Sequence, residues 1–161
     1  MKAAACARYV ARNMAELRYL TGYPPHLIEQ VAALRDQGRL GDWLQQRYPD
    51  GAHDIQSDRA LYDYTQALKQ RGLKTTPALH KVLYDSQQHP VRGTLGTHTR
   101  AARVQGGKLK TRHEIRIGAL FRDAPEPMLR MIVAHELAHL KESEHNKAFY
   151  QLCDHLAPGY A

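Results

Sequence analysis

The stretch Met128 to Leu140, MLRMIVAHELAHL, constrains this chain more than any other, because it joins a mostly apolar helix to three polar groups that need partners. Met128, Leu129, Met131, Ile132, Val133, Ala134, Leu137, Ala138 and Leu140 leave almost no polar stripe except His135, Glu136 and His139. A helix apolar on nearly every side is buried in its domain. Each polar side chain buried without a partner costs roughly 1–3 kcal/mol, so a fold that hides this helix must give the two histidines and the glutamate something to bind. Residues four apart on an α-helix differ by about 40° around the axis, which puts His135 and His139 on one face where they can share an ion. The H-E-x-x-H pattern therefore predicts two neutral imidazoles on Zn²⁺, with Glu136 placed to take a proton from a metal-bound water.

A catalytic zinc site uses three protein ligands and keeps one position open. The third ligand is expected at His145, in HELAHLKESEH. On an unbroken helix that position would lie about 280° round from His135 and roughly 15 Å along the axis, too far to share an ion. The helix is thus expected to stop near Lys141, with the chain turning through Glu142, Ser143 and Glu144, none of them large and apolar. Ser143 or Asn146 can cap a second helix carrying Phe149, Tyr150, Leu152 and Cys153. The metzincin form of the motif has glycine where this chain has Glu142, so the turn here needs another geometry.

The run IRIGALFRDAPEPMLRMIVAHELAHLKESEHNKAFYQLCDHLAPGY contains a strand, a proline-containing connection, the HELAHL helix, a second histidine segment and a closing Pro-x-Tyr. It resembles the YgjP-like metal-dependent hydrolases, relatives of the SprT-like and wider zincin metallopeptidases. LGTHTR and RVQGGKLK, upstream, are similar to the β-region of that family. The resemblance implies an α+β, zincin-like fold in which an N-terminal helical region and a small antiparallel sheet pack on the HExxH helix. It implies metal ligands at His135, His139 and His145 and a general base at Glu136, the positions that spacing alone selects. It implies hydrolysis but leaves the electrophile open, since the family shares its motif with metallopeptidases while a UTP-to-UMP pyrophosphatase activity is assigned within it.

At 161 residues, 43% hydrophobic and 24% charged, the chain has the composition of one globular domain, 1–161, with helices in 1–75 and the sheet and zinc-binding helices in 76–161. No apolar run is long enough to span a bilayer, and Arg8, Arg12 and Glu16 interrupt any signal-peptide core. Cys6 and Cys153 have neither CxxC spacing nor the numbers for a disulfide framework, so both read as small buried hydrophobes in a cytoplasmic protein. Apolar positions at Cys6, Val10, Met14, Leu17 and Leu20 predict a helix over 2–20, followed by helices after Pro24–Pro25, around Trp43, and from Ser57 or Asp58 to Gly72. His26, His53, Tyr62 and Tyr64 read as structural. Lys81 to Asp85 reads as a strand, and Leu95–Gln105 and Lys108–Phe121 as a hairpin about Gly106–Gly107, with Ile115, Ile117, Ala119 and Phe121 on one face. Asp123 and Glu126 have the spacing of a capping box for the metal helix.

The formal charge is +7, and between Arg100 and Arg116 six basic residues face one acidic residue, Glu114. That hairpin is either a solvated basic face or an attractor of nucleotide phosphates, nucleic acid or an acidic protein segment. No aromatic residue interleaves it, which argues against a stacking platform for single strands. The leading reading is a zinc metallopeptidase that holds an extended peptide on a strand such as Ile115–Phe121. The alternative aims the same water at a nucleoside triphosphate, and a third reading is a structural metal site. Glu136 argues against the third, because structural zinc usually takes four protein ligands and needs no carboxylate beside an open position. Tyr150, Tyr160 and His98 are candidate electrophilic helpers that also suit structural roles.

Overall fold

A computed structural model describes residues 17, 20, 22–88 and 94–160. The expected helix over 2–20, with Cys6, lies largely outside them. The chain divides into two compact units, residues 1–51 and 52–161. The first contains α1 (Pro25–Asp36), opened by its proline pair, and α2 (Leu40–Arg47). Ile28 and Ala32 of α1 are buried, whereas Trp43 of α2 is half exposed.

The second unit is α+β. In chain order it contains α3 (Asp58–Gly72), β1 (Leu79–Asp85), β2 (Gly96–Gln105), β3 (Lys108–Gly118), a 3-10 turn (Ala119–Asp123), α4 (Glu126–Ala138) and α5 (Lys147–Leu156). Ser57 caps α3 by accepting the Ala60 N–H, while the Asp58 carboxylate accepts the Tyr84 N–H at 2.9 Å and ties α3 to β1. At the other end of α3 the buried Lys69 ammonium donates to the Thr76 carbonyl at 3.2 Å, a cation where the helix dipole favours one.

The sheet has the order β1-β3-β2 and is mixed, not antiparallel as expected: β1 runs parallel to β3, and β2 antiparallel to it. The reason lies in the connection from β1 to β2. Gln88 and Leu95, in its described parts, both lie at the end of β3, where the Gly118 N–H donates to the Leu95 carbonyl at 2.8 Å. A Cβ at Gly118 would sit 3.0 Å from that oxygen, so this approach requires glycine or a displaced backbone. β3 is therefore the central strand, which removes it as an edge for peptide pairing; β2 is an edge strand instead. β3 also stops at Gly118, short of Phe121, because Ala119–Asp123 tightens into the 3-10 turn. Phe121 still reaches the core.

The hairpin turn falls where expected. Gly106 (φ 60°) and Gly107 (φ 74°) both occupy the left-handed region that a type I′ turn requires. The capping box does not form, because Asp123 is taken up in the 3-10 turn and Pro125 is the residue before α4. Glu126 turns away to Arg130, at 2.7 Å, and to the Tyr64 hydroxyl, at 2.6 Å. His53 is structural, its ring bonded to the Phe121 carbonyl at 2.7 Å and to the Ile55 N–H at 3.1 Å.

One core joins Leu61 and Leu68 of α3, Val82 and Tyr84 of β1, Ile115 and Ile117 of β3, and Leu129, Val133 and Leu137 of α4. On β3, His113, Ile115 and Ile117 point inward while Arg112, Glu114 and Arg116 point out, the two-residue alternation of a sheet with one wet face. Among the described residues no helix is long and apolar enough to cross a membrane. Truncating Ile115, which is fully buried, to alanine should cost about 2–5 kcal/mol in urea unfolding. Leu109→Ala, at a position 72% exposed near the hairpin tip, should stay within about 0.5 kcal/mol of the parent.

Candidate metal centre

α4 ends at Ala138, three residues before the expected stop, and His139 is its last residue with helical dihedrals (φ −65°, ψ −13°). The final turn tightens: Leu140 N–H donates to Leu137 at 3.0 Å, and Glu142 N–H to Ala138 at 2.9 Å. This geometry needs no glycine, since no non-glycine residue among those described has a positive φ. The chain then reverses into α5, capped by Asn146, whose Oδ1 accepts the Phe149 N–H at 2.9 Å. The cap directly follows His145 and so swings that side chain back over α4. His145 Nε2 lies 3.2 Å from His135 Nε2 and 3.2 Å from His139 Nε2. The three rings thus form a cluster whose ligand atoms all lie within 4.8 Å of one another, able to hold a metal ion.

The outer nitrogens are engaged elsewhere. His139 Nδ1 is 3.0 Å from the Glu142 carbonyl. A carbonyl only accepts, so Nδ1 carries the proton and Nε2 presents a bare lone pair to the centre of the cluster. His135 Nδ1 is 2.7 Å from the Tyr160 hydroxyl. Beneath all three lies the buried ring of Phe149, with centroids 4.9 Å from His135, 4.7 Å from His139 and 4.7 Å from His145. Burial holds the His135 pKa down to about 4 and lowers that of His139, keeping both in the neutral form that binds cations. Lone pairs that converge at 3.2 Å repel unless a cation sits among them, so the donor set fits a metal ion.

Glu136, on the next face of α4, is 4% exposed, and burial pushes its pKa up to about 7. It lies against the first residue of β2: a Cβ on Gly96 would come within 2.7 Å of Glu136 Oε1. Glycine at that position is what lets the strand pass so close to the carboxylate. Two residues on, His98 Nε2 is 2.9 Å from His113 Nδ1, and the two rings are parallel within 6°. The Tyr160 hydroxyl meets His135, and Tyr150 is 45% exposed beside His145. Cys153 is a free, buried thiol whose pKa burial raises to about 11.

Spacing alone does not reveal Gly96, Phe149, Arg100 or His113 as parts of this neighbourhood. Gly96 carried a usable signal, a glycine opening a strand. The others depend on tertiary placement.

The family model for the YgjP-like metallopeptidase domain matches residues 51–161. The chain belongs to the YgjP-like family. The matched region begins one residue before the second compact unit and so takes in α3, the sheet, α4 and α5. YgjP-like kinship extends further in one relative, the UTP pyrophosphatase of Escherichia coli (strain K12), which is 57% identical over 147 residues, 91% of this chain and 87% of that protein. No solved structure matches. As a YgjP-like protein, the chain is a metal-dependent hydrolase.

The buried carboxylate has a cost that can be measured. In the metal-free protein the folded state keeps the Glu136 proton up to about pH 7, whereas an ordinary glutamate loses it near 4.5. Stability is therefore lost as pH rises through that window, by roughly 3 kcal/mol at its upper end. Glu136→Gln does not titrate. With a chelator present, its urea midpoint should gain on the parent between pH 5 and pH 8; a difference independent of pH would show that Glu136 ionises freely.

Proposed function

We propose that this protein is a zinc-dependent nucleoside triphosphate pyrophosphatase of zincin-like architecture, splitting UTP or a similar nucleotide to the monophosphate and pyrophosphate. The observation that carries this reading is the 57% identity, over 91% of the chain, to a protein named UTP pyrophosphatase. His135, His139 and His145 would hold the zinc. Tetrahedral ligands 2.0–2.1 Å from Zn²⁺ lie about 3.3 Å apart, close to the 3.2 Å from His145 Nε2 to the Nε2 atoms of His135 and His139. Zinc so bound would acidify a coordinated water and polarise the phosphoryl oxygen under attack.

The remaining work falls to the chain. Glu136 accepts a proton from the attacking water, and a carboxylate whose pKa burial brings to about 7 is well matched to that role near neutral pH. Tyr160 and the Glu142 carbonyl hold the rings of His135 and His139 in orientation, so that their Nε2 atoms do not swing away. Gly96 leaves the carboxylate the room it occupies.

A peptidase reading has its own support in the family's metallopeptidase description and in β2, which passes the metal helix and is an edge strand of the sheet formed by the described residues. Assays of one zinc-replete sample against UTP and casein separate the two. We expect UTP turnover, loss of at least 10²-fold in Glu136→Gln with metal content intact, and weakened metal binding in His145→Ala. Casein cleavage without UTP turnover would replace this reading with the peptidase, and full activity in Glu136→Gln would remove both.

A further inference from the structure

The inner face of β2 runs beside the metal helix and carries, at alternate positions, Gly96, His98 and Arg100. Their partners across the hairpin are Ile117, Ile115 and His113, the inward-facing residues of β3, so all three of the β2 residues face α4. Gly96 lies against Glu136, and Arg100 Nη2 donates to the His139 carbonyl at 3.3 Å. One strand thus passes the base at one end and a metal-ligand candidate at the other.

Arg100 is exposed, and its guanidinium is charged at any physiological pH. Arg116 on β3 pairs with Asp85 and Glu114, whereas Arg100, Arg103 and Arg112 of the ribbon have no carboxylate partner among the described residues, and of these three only Arg100 is on the face turned to α4. No carboxylate among the described residues pairs with Arg100, whose one hydrogen bond is to a neutral carbonyl through a single nitrogen. Four further N–H donors of its fork remain for another group. Its bond to the His139 carbonyl places the guanidinium at the end of α4, next to one of the three histidines and not out along the ribbon.

We propose that Arg100 is the anion-recognising side chain of this site, a subsite for a phosphate group of the nucleotide set beside the metal centre by the alternation of β2. The assignment rests on the pyrophosphatase reading and gives it a source of substrate selection. The carboxylate of Glu136 is buried and those of Glu142 and Glu144 belong to the turn after α4, so the unpaired guanidinium gives the β2 side of the cluster a cation. A phosphate oxygen gains a charge-assisted, potentially bidentate contact there, while a neutral peptide carbonyl gains little. His98, held by its bond to His113, fills the strand between Gly96 and Arg100 and keeps that face of β2 in place.

The test is calorimetric binding of an α,β-imido analogue of UTP, which cannot be split at that bond, to zinc-replete wild type, Arg100→Gln, Arg100→Lys and Arg103→Gln. Arg103 lies on the same ribbon but on its opposite face, so its variant removes an equal charge away from the metal. Losing a charged hydrogen bond should weaken binding about tenfold to a hundredfold in Arg100→Gln. Arg100→Lys should recover part of it, Arg103→Gln should stay within about twofold, and the loss should appear in KM for UTP more than in kcat. Zinc content and circular dichroism establish that each variant is folded and loaded. Equal binding by Arg100→Gln and wild type, with UTP still hydrolysed, overturns the Arg100 assignment alone. A wild type that neither binds the analogue nor hydrolyses UTP overturns it together with the pyrophosphatase reading.

Discussion

The structure depends on an arrangement that would be unfavourable by itself: three imidazoles turned so that their Nε2 atoms face one another at about hydrogen-bond distance, with at least one a bare lone pair. Much of the C-terminal third serves to keep them there. The tightened end of α4 releases the chain directly after His139, Asn146 caps α5 so that His145 folds back, and Phe149 supports all three rings from below. Tyr160, close to the chain's end, reaches back to His135, and the buried Cys153 thiol lies in contact with its hydroxyl. Each contact restricts a ring rotation that would relieve the crowding, which is how a site is organised for a cation before the cation arrives.

The site was largely legible in the sequence because its determinants are local. The four-residue spacing of His135 and His139 is a helical property, and the return of His145 follows from a polar turn and a good N-cap within eleven residues. The helices α1 to α3 and the Gly106–Gly107 turn were legible for the same reason. What sequence reading missed is non-local. Whether β1 joins β3 parallel or antiparallel is decided by a connection that leads from one side of β3 to the other, its described parts meeting β3 at Gly118, and nothing in the alternation of Lys81–Asp85 records that. The capping box failed for a related reason, in that Glu126 found better partners in Arg130 and in Tyr64, sixty-two residues earlier.

The close approach of Gly96 to Glu136 shows how the fold sets the chemistry. A carboxylate reached by water would keep an ordinary pKa and would bind a proton only weakly near neutral pH. Packed under β2 with little solvent, it is held nearer neutrality, where accepting and releasing a proton have comparable cost. The strand achieves this only because residue 96 has no side chain. The same burial costs stability once the carboxylate ionises, in line with the general conflict between active-site burial and folding free energy.

The mixed topology then decides which side chains the substrate meets. With β3 central, its inward residues are spent on the core: Ile115 and Ile117 are fully buried, and His113 nearly so. An antiparallel meander in chain order would have put β2 in the middle and exposed a different strand to the metal helix. Because the β1–β2 connection leads from one side of β3 to the other, β2 becomes an edge strand of the sheet formed by the described residues, with one face turned to α4. An edge strand can place a polar side chain such as Arg100 beside the catalytic residues without burying its charge, which a central strand could not do without a desolvation penalty of several kcal/mol. The crossing near Gly118, remote from the histidines in sequence, is therefore what gives the metal centre a cationic neighbour on one side.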